Sequence, residues 1–337
     1  MNNEILKRYL TYVLIGVGLA LLPVLQGMGL ILSSTVTIWG SIIYFAIVAI
    51  GLNVLLGYSG LVSLGTAGFM GVGAYMTAYL TETGIWPFSD GWPFFLSLVV
   101  SVLVPTAAGL LVGLVSLRVS GMYLAIATLA VAEILRRVFV EFPEFTGSFQ
   151  GSRADFPVIF GNLLDRDSSI VFLAILLVIL LILTDNFIHS PVGRALLTMR
   201  ASEPAAQAMG INLLKYKLMA FGLATAYAAL GGVLYAHFVR FVFPTDWTLM
   251  LSLQIVAVIV IGGTKTILGP VIGSIIVFGV PRIILTQLPI IGDIDGLPFV
   301  FNGILIIVVI LFYPNGLIYI GHDVRRMFTK KVVTLDE

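Results

Sequence analysis

Gly193-Arg-Ala-Leu-Leu-Thr-Met-Arg-Ala-Ser-Glu-Pro-Ala-Ala-Gln-Ala-Met-Gly-Ile-Asn212 is a basic, helix-forming island between two long apolar runs. Just before it, Ser190 and Pro191 supply a cap and a first-turn proline, and good helix formers follow as far as Arg200. Ser202 can cap a second short helix, with Glu203 at its positive end, Pro204 in its first turn and Gly210 to end it. Two uses fit such an island. It is either an interfacial loop that holds two spans at a membrane surface, or a handle by which a soluble protein moves the membrane part. Both uses make the flanking runs transmembrane, so the expected fold is an all-α polytopic membrane protein.

Composition agrees. Of 337 residues, 59% are hydrophobic and only 10% charged, whereas a soluble surface of this size needs far more charge. The 35 glycines often interrupt apolar runs, as where membrane helices pack closely or break. With no cysteine, disulfides, thiolate nucleophiles and cysteine-based metal sites are excluded, and His189, His237 and His322 form no motif. Neither a metal nor another cofactor is expected, nor a nucleic-acid partner. Lys7 and Arg8 precede an apolar run long enough to span, which reads as a retained helix rather than a cleaved signal.

Ten spans are predicted, at about 10–32, 35–56, 61–80, 94–116, 121–141, 169–187, 216–238, 248–263, 268–286 and 298–320, forming one transmembrane domain over 1–337. The third is Gly-rich enough to be broken or re-entrant. Placing the N-terminus inside gathers Lys7, Arg8, Arg118, Arg194, Arg200, Lys215, Lys217, Lys265, Arg325, Arg326, Lys330 and Lys331 on the cytoplasmic face, with both termini. The other face collects Glu82, Asp90, Glu144, Asp155, Asp165, Asp167, Asp246, Asp293 and Asp295, and Arg136, Arg137 and Arg240 depart from the split. Ser63-Leu-Gly-Thr-Ala-Gly68 is echoed by Ile267-Leu-Gly-Pro-Val-Ile272, which suggests an inverted repeat of about 35–141 and 216–320 flanking a cytoplasmic loop, 190–215.

Glu133 is read as the only carboxylate well inside a span. Arg136 and Arg137 lie three and four residues on, where helical spacing permits a structural or gating ion pair; direct substrate contact is the alternative. Ser63, Thr66 and Thr128 are the candidates for a polar translocation path, because hydroxyls can donate to or accept from a polar solute without a fixed charge. Each hydroxyl has an alternative use, a bond to a carbonyl one turn back. Gly269 and Gly273, spaced as in Gly-x-x-x-Gly, read as helix packing. The chain has no Gly-x-x-x-x-Gly-Lys-[Ser/Thr] phosphate cradle.

The chain resembles the branched-chain amino acid permease family of bacterial ABC importers, and specifically the longer of its two membrane subunits. Arg200-Ala-Ser-Glu-Pro-Ala-Ala-Gln-Ala-Met-Gly-Ile-Asn212 looks like that family's coupling-loop signature. Further resemblance lies in Gly57-Tyr-Ser-Gly-Leu-Val-Ser-Leu-Gly-Thr-Ala-Gly68, Ile261-Gly-Gly-Thr-Lys-Thr-Ile-Leu-Gly-Pro270 and Leu311-Phe-Tyr-Pro-Asn-Gly-Leu317. Leu61 and Thr66 stand where the family often has glutamine and histidine, and Lys265 where a small residue is usual. The resemblance implies a non-enzymatic permease of the bacterial inner membrane, driven by separate cytoplasmic ATPase subunits that use the ATP. Arg200, Glu203, Ala205, Ala206 and Gly210 would lie at the ATPase contact. It further implies a shorter homologous permease subunit as heterodimer partner, a periplasmic substrate-binding protein, and leucine, isoleucine or valine as cargo. Related systems move urea, short amides or other amino acids. An ion-driven secondary transporter is the competing class, marked by a buried group that titrates during transport; an intramembrane enzyme would need converging acids or histidines that the spans lack.

Overall fold

Apolar runs become helices here because, in lipid, only backbone that bonds internally is stable. The computed structural model describes residues 2–82, 92–116, 122–159, 162–285, 296–313 and 316–319. The chain begins with α1 (Asn2–Ala20), α2 (Leu22–Gly27) and α3 (Ser33–Asn53), which runs on into a π-turn at Val54–Tyr58. After a non-helical stretch come α4 (Thr66–Glu82), α5 (Phe94–Ser116), α6 (Met122–Glu141) and the short α7 (Pro143–Thr146). Next are β1 (Ser152–Arg153), β2 (Val158–Ile159) and β3 (Asn162–Leu163), then α8 (Arg166–His189), α9 (Pro191–Ala201), α10 (Glu203–Ala208) and α11 (Leu213–Val239). β4 (Phe241–Val242), α12 (Leu249–Gly262) and α13 (Gly269–Ser274) lead to a second π-turn at Ile275–Gly279, followed by α14 (Val280–Leu285) and α15 (Leu297–Phe312).

The protein is an all-α multi-pass membrane protein. Among the described residues, five helices are long and apolar enough to cross a membrane: Ile5–Gly27, Ser33–Tyr58, Phe94–Ser116, Arg166–His189 and Leu213–Val239. The ten full-length spans expected are therefore not reached by length and composition, although every predicted span contains helix. The reasons are local. α4 has 17 residues and α12 only 14, and α6 carries Glu133, Arg136, Arg137 and Glu141. Arg118, Asp90, Asp293, Asp295, His322, Arg325, Arg326, Lys330 and Lys331 lie outside the described residues, as does part of the predicted second repeat.

α3 is the axis of the bundle: from Gly40 to its end every residue is buried. α11 packs against α3, α4 and α5. Its closest crossing is with α4, where a Cβ on Gly232 would strike the Met70 carbonyl and one on Gly73 the Ala229 carbonyl. Only glycine lets the backbones approach this closely. The α12–α13 hairpin is built the same way, since Cβ atoms at Gly262 and Gly273 would meet the carbonyls of Gly269 and Val258. α1 and α5 lie outside and show Leu10, Leu14, Val17, Leu103, Leu111 and Val115 on exposed faces, as lipid-facing helices do because they need no polar cover.

Two ends are distinct. One holds Lys7, Arg8, Arg194, Arg200, Lys215, Lys217 and Lys265 and is called the basic end below. The opposite end holds Asp155, Asp165, Asp167 and Asp246, together with the β1–β4 pair and the β2–β3 hairpin. Two of the three cations that depart from the split, Arg136 and Arg240, pair with carboxylates where they stand. Arg153 and Arg240 both bond Asp155, at 2.8 and 3.2 Å, and Arg136 pairs with Glu133.

Candidate functional site: the basic-end loop and the polar groups of the bundle

The loop folds as two capped helices. The Ser190 hydroxyl accepts from the Val192 amide at 3.2 Å to start α9, and the Ser202 hydroxyl accepts from the Ala205 amide at 3.3 Å to start α10. Gly210, at φ +79°, ends α10 in the left-handed region that favours glycine, and the Asn212 side-chain Oδ1 accepts from the Lys215 amide to open α11. One ion pair ties the loop to the bundle. Lys217 Nζ lies 2.6 Å from Glu203 Oε1, with the lysine side chain 9% exposed and the glutamate 45%.

This arrangement divides the expected coupling residues. Arg200, Ala205 and Gly210 are exposed. Ala206 is fully buried, and Glu203, about half exposed, pairs with Lys217. The reason is the helical period: in a helix of six residues lying on a surface, positions 203 and 206 fall on one face and 205 and 209 on another. Met209 is 74% exposed and completes the outer face. Arg200 also lies against the Gly60 turn, where an added Cβ would be 3.1 Å from Arg200 Cγ.

The loop meets two other turns at the basic end. Tyr58, closing the first π-turn, donates its hydroxyl to the Lys265 carbonyl at 2.7 Å, and Asn53 Nδ2 donates to the Thr266 carbonyl at 2.8 Å. Lys265 adopts φ +64° there. The turns that precede the two echoing segments are thus joined side by side.

Of the path candidates, Ser63 and Thr66 share a narrow pocket with Phe69, Phe221 and Thr225, between α3, α4 and α11. Ser63 Oγ accepts from the Gly65 amide at 3.4 Å. Thr128 is elsewhere. It is fully buried, donates to the Ala125 carbonyl and accepts from the Leu64 amide, both at 3.0 Å, so it fixes the non-helical stretch before α4.

Glu133 and Arg136 bond as a fork on α6, with side chains 52% and 33% exposed. Glu133 lines an apolar surface groove with Arg137, Ala130 and Ile134 rather than standing in the interior. A second carboxylate is buried near the end of a span. Asp185 in α8 is 3% exposed, 3.2 Å from Arg8 Nη1 and 3.2 Å from His189 Nδ1. Its partners are remote in sequence or one turn away, so no local spacing announced all three.

At the opposite end, His237 places Nδ1 2.7 Å from the Asp155 carbonyl and Nε2 3.0 Å from Thr77 Oγ1, which itself meets Ser97 Oγ at 3.0 Å. Burial, the largest influence on the Asp155 carboxyl, pushes it up. The hydrogen bonds and charges of Arg240 and Arg153 outweigh that and leave it below the usual carboxylate range. Asp246 goes the other way, raised by burial that the Phe243 amide and Tyr235 hydroxyl offset only in part. Among the described residues no group of three or more His, Asp or Glu side chains is placed to hold a metal.

Residues 34–313 match the family model described as branched-chain amino acid transport system / permease component. The chain is 30% identical over 299 residues to the high-affinity branched-chain amino acid transport system permease protein LivM of Salmonella typhimurium, covering 81% of this chain and 67% of the relative. It is 29% identical, with the same coverage, to the protein of that name from Escherichia coli. It is 22% identical over 351 residues to a probable LivM of Methanocaldococcus jannaschii, covering 91% of this chain and 99% of that one. No solved structure matches it. The buried π-turned axis, the glycine crossings and the capped basic-end loop are therefore features of a transport component that is not an enzyme, and the chain belongs to the branched-chain amino acid transport permease family.

Proposed function

We propose that this chain is the membrane-spanning subunit of an ABC importer that carries branched-chain amino acids across the bacterial inner membrane, driven by a separate ATPase. The basic end faces the cytoplasm. The ATPase receives α10 by the exposed face of Ala205, Met209 and Gly210, with Arg200 beside it. Glu203 and Ala206 hold that face in place from behind. A periplasmic binding protein delivers cargo to the opposite end, and a homologous shorter subunit completes the pore.

The observation that carries this reading is the loop itself: two short capped helices that leave an outer strip exposed while an ion pair fixes them to α11. The names of the relatives support the choice of cargo. The test is bulk on the outer strip. Ala205→Trp should abolish ATP-driven leucine uptake by the reconstituted transporter, with the thermal midpoint of the permease unchanged. Uptake at the parental rate in that variant would refute the coupling assignment.

A further inference from the structure

A cavity on the flank of the bundle plays no part in the loop or the polar pocket. It holds about 260 Å³ and is lined from α1–α2 by Gly18 and Leu22, from α3 by Trp39 and Ile43, from α8 by Leu177 and from the second π-turn by Ile275. No charged or hydroxyl side chain lines it. Ile43 and Ala46 are buried, so α3 is its floor, whereas Gly18 is exposed and stands at its mouth. A Cβ on Gly18 would meet nothing within 4 Å. An apolar cavity of about 150 Å³ stays dry and accepts benzene, so this larger one has room for a longer hydrocarbon.

Polar groups rim the cavity on the side away from the loop. Two residues before Trp39, the Thr37 hydroxyl accepts from Arg166 Nη1 at 3.4 Å. Arg166 is exposed in the first turn of α8, and a guanidinium has donors enough for Thr37 and a phosphate together. α2 packs on both α3 and α8. In it Gln26 follows Leu22 by one helical turn on the same face. Gln26 Oε1 is buried and meets no hydrogen-bond donor among the described residues, a costly state for an acceptor unless a ligand supplies the donor. Asp165 and Asp167 flank Arg166 and make this rim net negative.

We propose that the cavity holds an acyl chain of one phosphatidylethanolamine from the leaflet opposite the loop, with Arg166 on the phosphate and Gln26 Oε1 on the ammonium. A dry apolar lining suits a hydrocarbon tail and offers a polar solute no partner. The guanidinium suits the phosphate. The ethanolamine ammonium brings the N–H that Gln26 lacks. A choline headgroup has no N–H to give, and an anionic headgroup meets Asp165 and Asp167. Trp39 stands where indoles gather, at the boundary of headgroups and tails. The proposal does not depend on the cargo or on the ATPase contact.

Native mass spectrometry of the full chain, exchanged against equal amounts of phosphatidylethanolamine, phosphatidylcholine and phosphatidylglycerol, reads the retained lipid. The chain should keep one phosphatidylethanolamine, preferred about tenfold over either rival, as expected for one charge-assisted bond. Gly18→Phe fills the mouth and should cut retention of all three lipids about tenfold or more, by excluding the tail. Arg166→Gln should weaken all three about tenfold. Gln26→Leu should leave the tail in place and erase the preference over phosphatidylcholine. A second measurement leaves the cavity unaltered. In phosphatidylcholine nanodiscs, trace phosphatidylethanolamine brominated on its acyl chains should quench Trp39 more than brominated phosphatidylcholine does, with Trp39→Phe as the blank.

Retention undiminished by Gly18→Phe overturns the site. Equal retention of the three headgroups does so too, since it would mark a lipid of the general annulus, as does equal quenching by the two brominated lipids. Loss of the retained lipid from the complex with the homologous subunit would give the cavity to that subunit and overturn the proposal as well.

Discussion

Lys217 illustrates how much one side chain decides at the basic end. A buried ammonium is tolerated only with a partner, and Glu203 is that partner. Glu203→Gln should destabilise the chain by about 1–2 kcal/mol, less than the ~3–5 kcal/mol of a fully buried pair because the glutamate is 45% exposed. The thermal midpoint in detergent reads this, and Lys217→Met with Glu203→Gln should recover most of the loss. Gly232 is decided by space instead. Gly232→Ala should cost about 1–3 kcal/mol, because its Cβ would press on the Met70 carbonyl, and reduced yield of folded protein would report it. The residue chemistry of capping was legible in sequence: Ser190 and Ser202 cap as their types and positions indicate, and the structure adds a third cap at Asn212. The Glu203–Lys217 and Arg8–Asp185 pairs were not, because partners separated by 14 or 177 positions are chosen by the fold and not by a local period.

At the scale of elements, apolar runs announced nearly every helix, since lipid leaves the backbone little alternative. What escaped was which face of α10 would be covered. A run of alanines has no amphipathic contrast, so burial of Ala206 and exposure of Ala205 could come only from the surface beneath. Removing the cap separates the helix from its support: Ser202→Ala should cost about 1 kcal/mol and appear as faster amide exchange confined to α10. The Arg153–Asp155–Arg240 clamp, which staples β1 to the end of α11, makes a pH prediction. Its carboxyl is lowered in the fold, so its stabilisation is complete above the unfolded carboxylate pKa of about 4. It fades as pH falls through the lower folded value. With Asp155 59% exposed, the effect should stay below about 1 kcal/mol. Amide exchange in β1 and β4 should accelerate on acidification, and Asp155→Asn should remove that dependence.

For the molecule as a whole, charge asymmetry stated the two ends before any helix was placed, and two of the three exceptions, Arg136 and Arg240, resolved into local ion pairs. The number of complete crossings was less legible, because charges on α6 and the shortness of α4 and α12 leave hydropathy a poor ruler where helices shelter one another. The absence of cysteine makes orientation directly measurable. Met209→Cys should react with a membrane-impermeant maleimide only after the cells are opened, and Phe243→Cys should react in intact cells. The reverse pattern would invert the assignment of the basic end.

α11 gives these scales a mechanical meaning. It runs unbroken for 27 residues, a rod of about 40 Å, bolted near one tip to the loop through Lys217 and carrying Tyr235 near the other. It contains no proline and no π-turn to absorb strain, whereas α3 and the α13–α14 segment each have one. A tilt imposed at the loop is therefore delivered to the far end nearly undiminished, so that end must be displaced in the same stroke, with compliance confined to its neighbours.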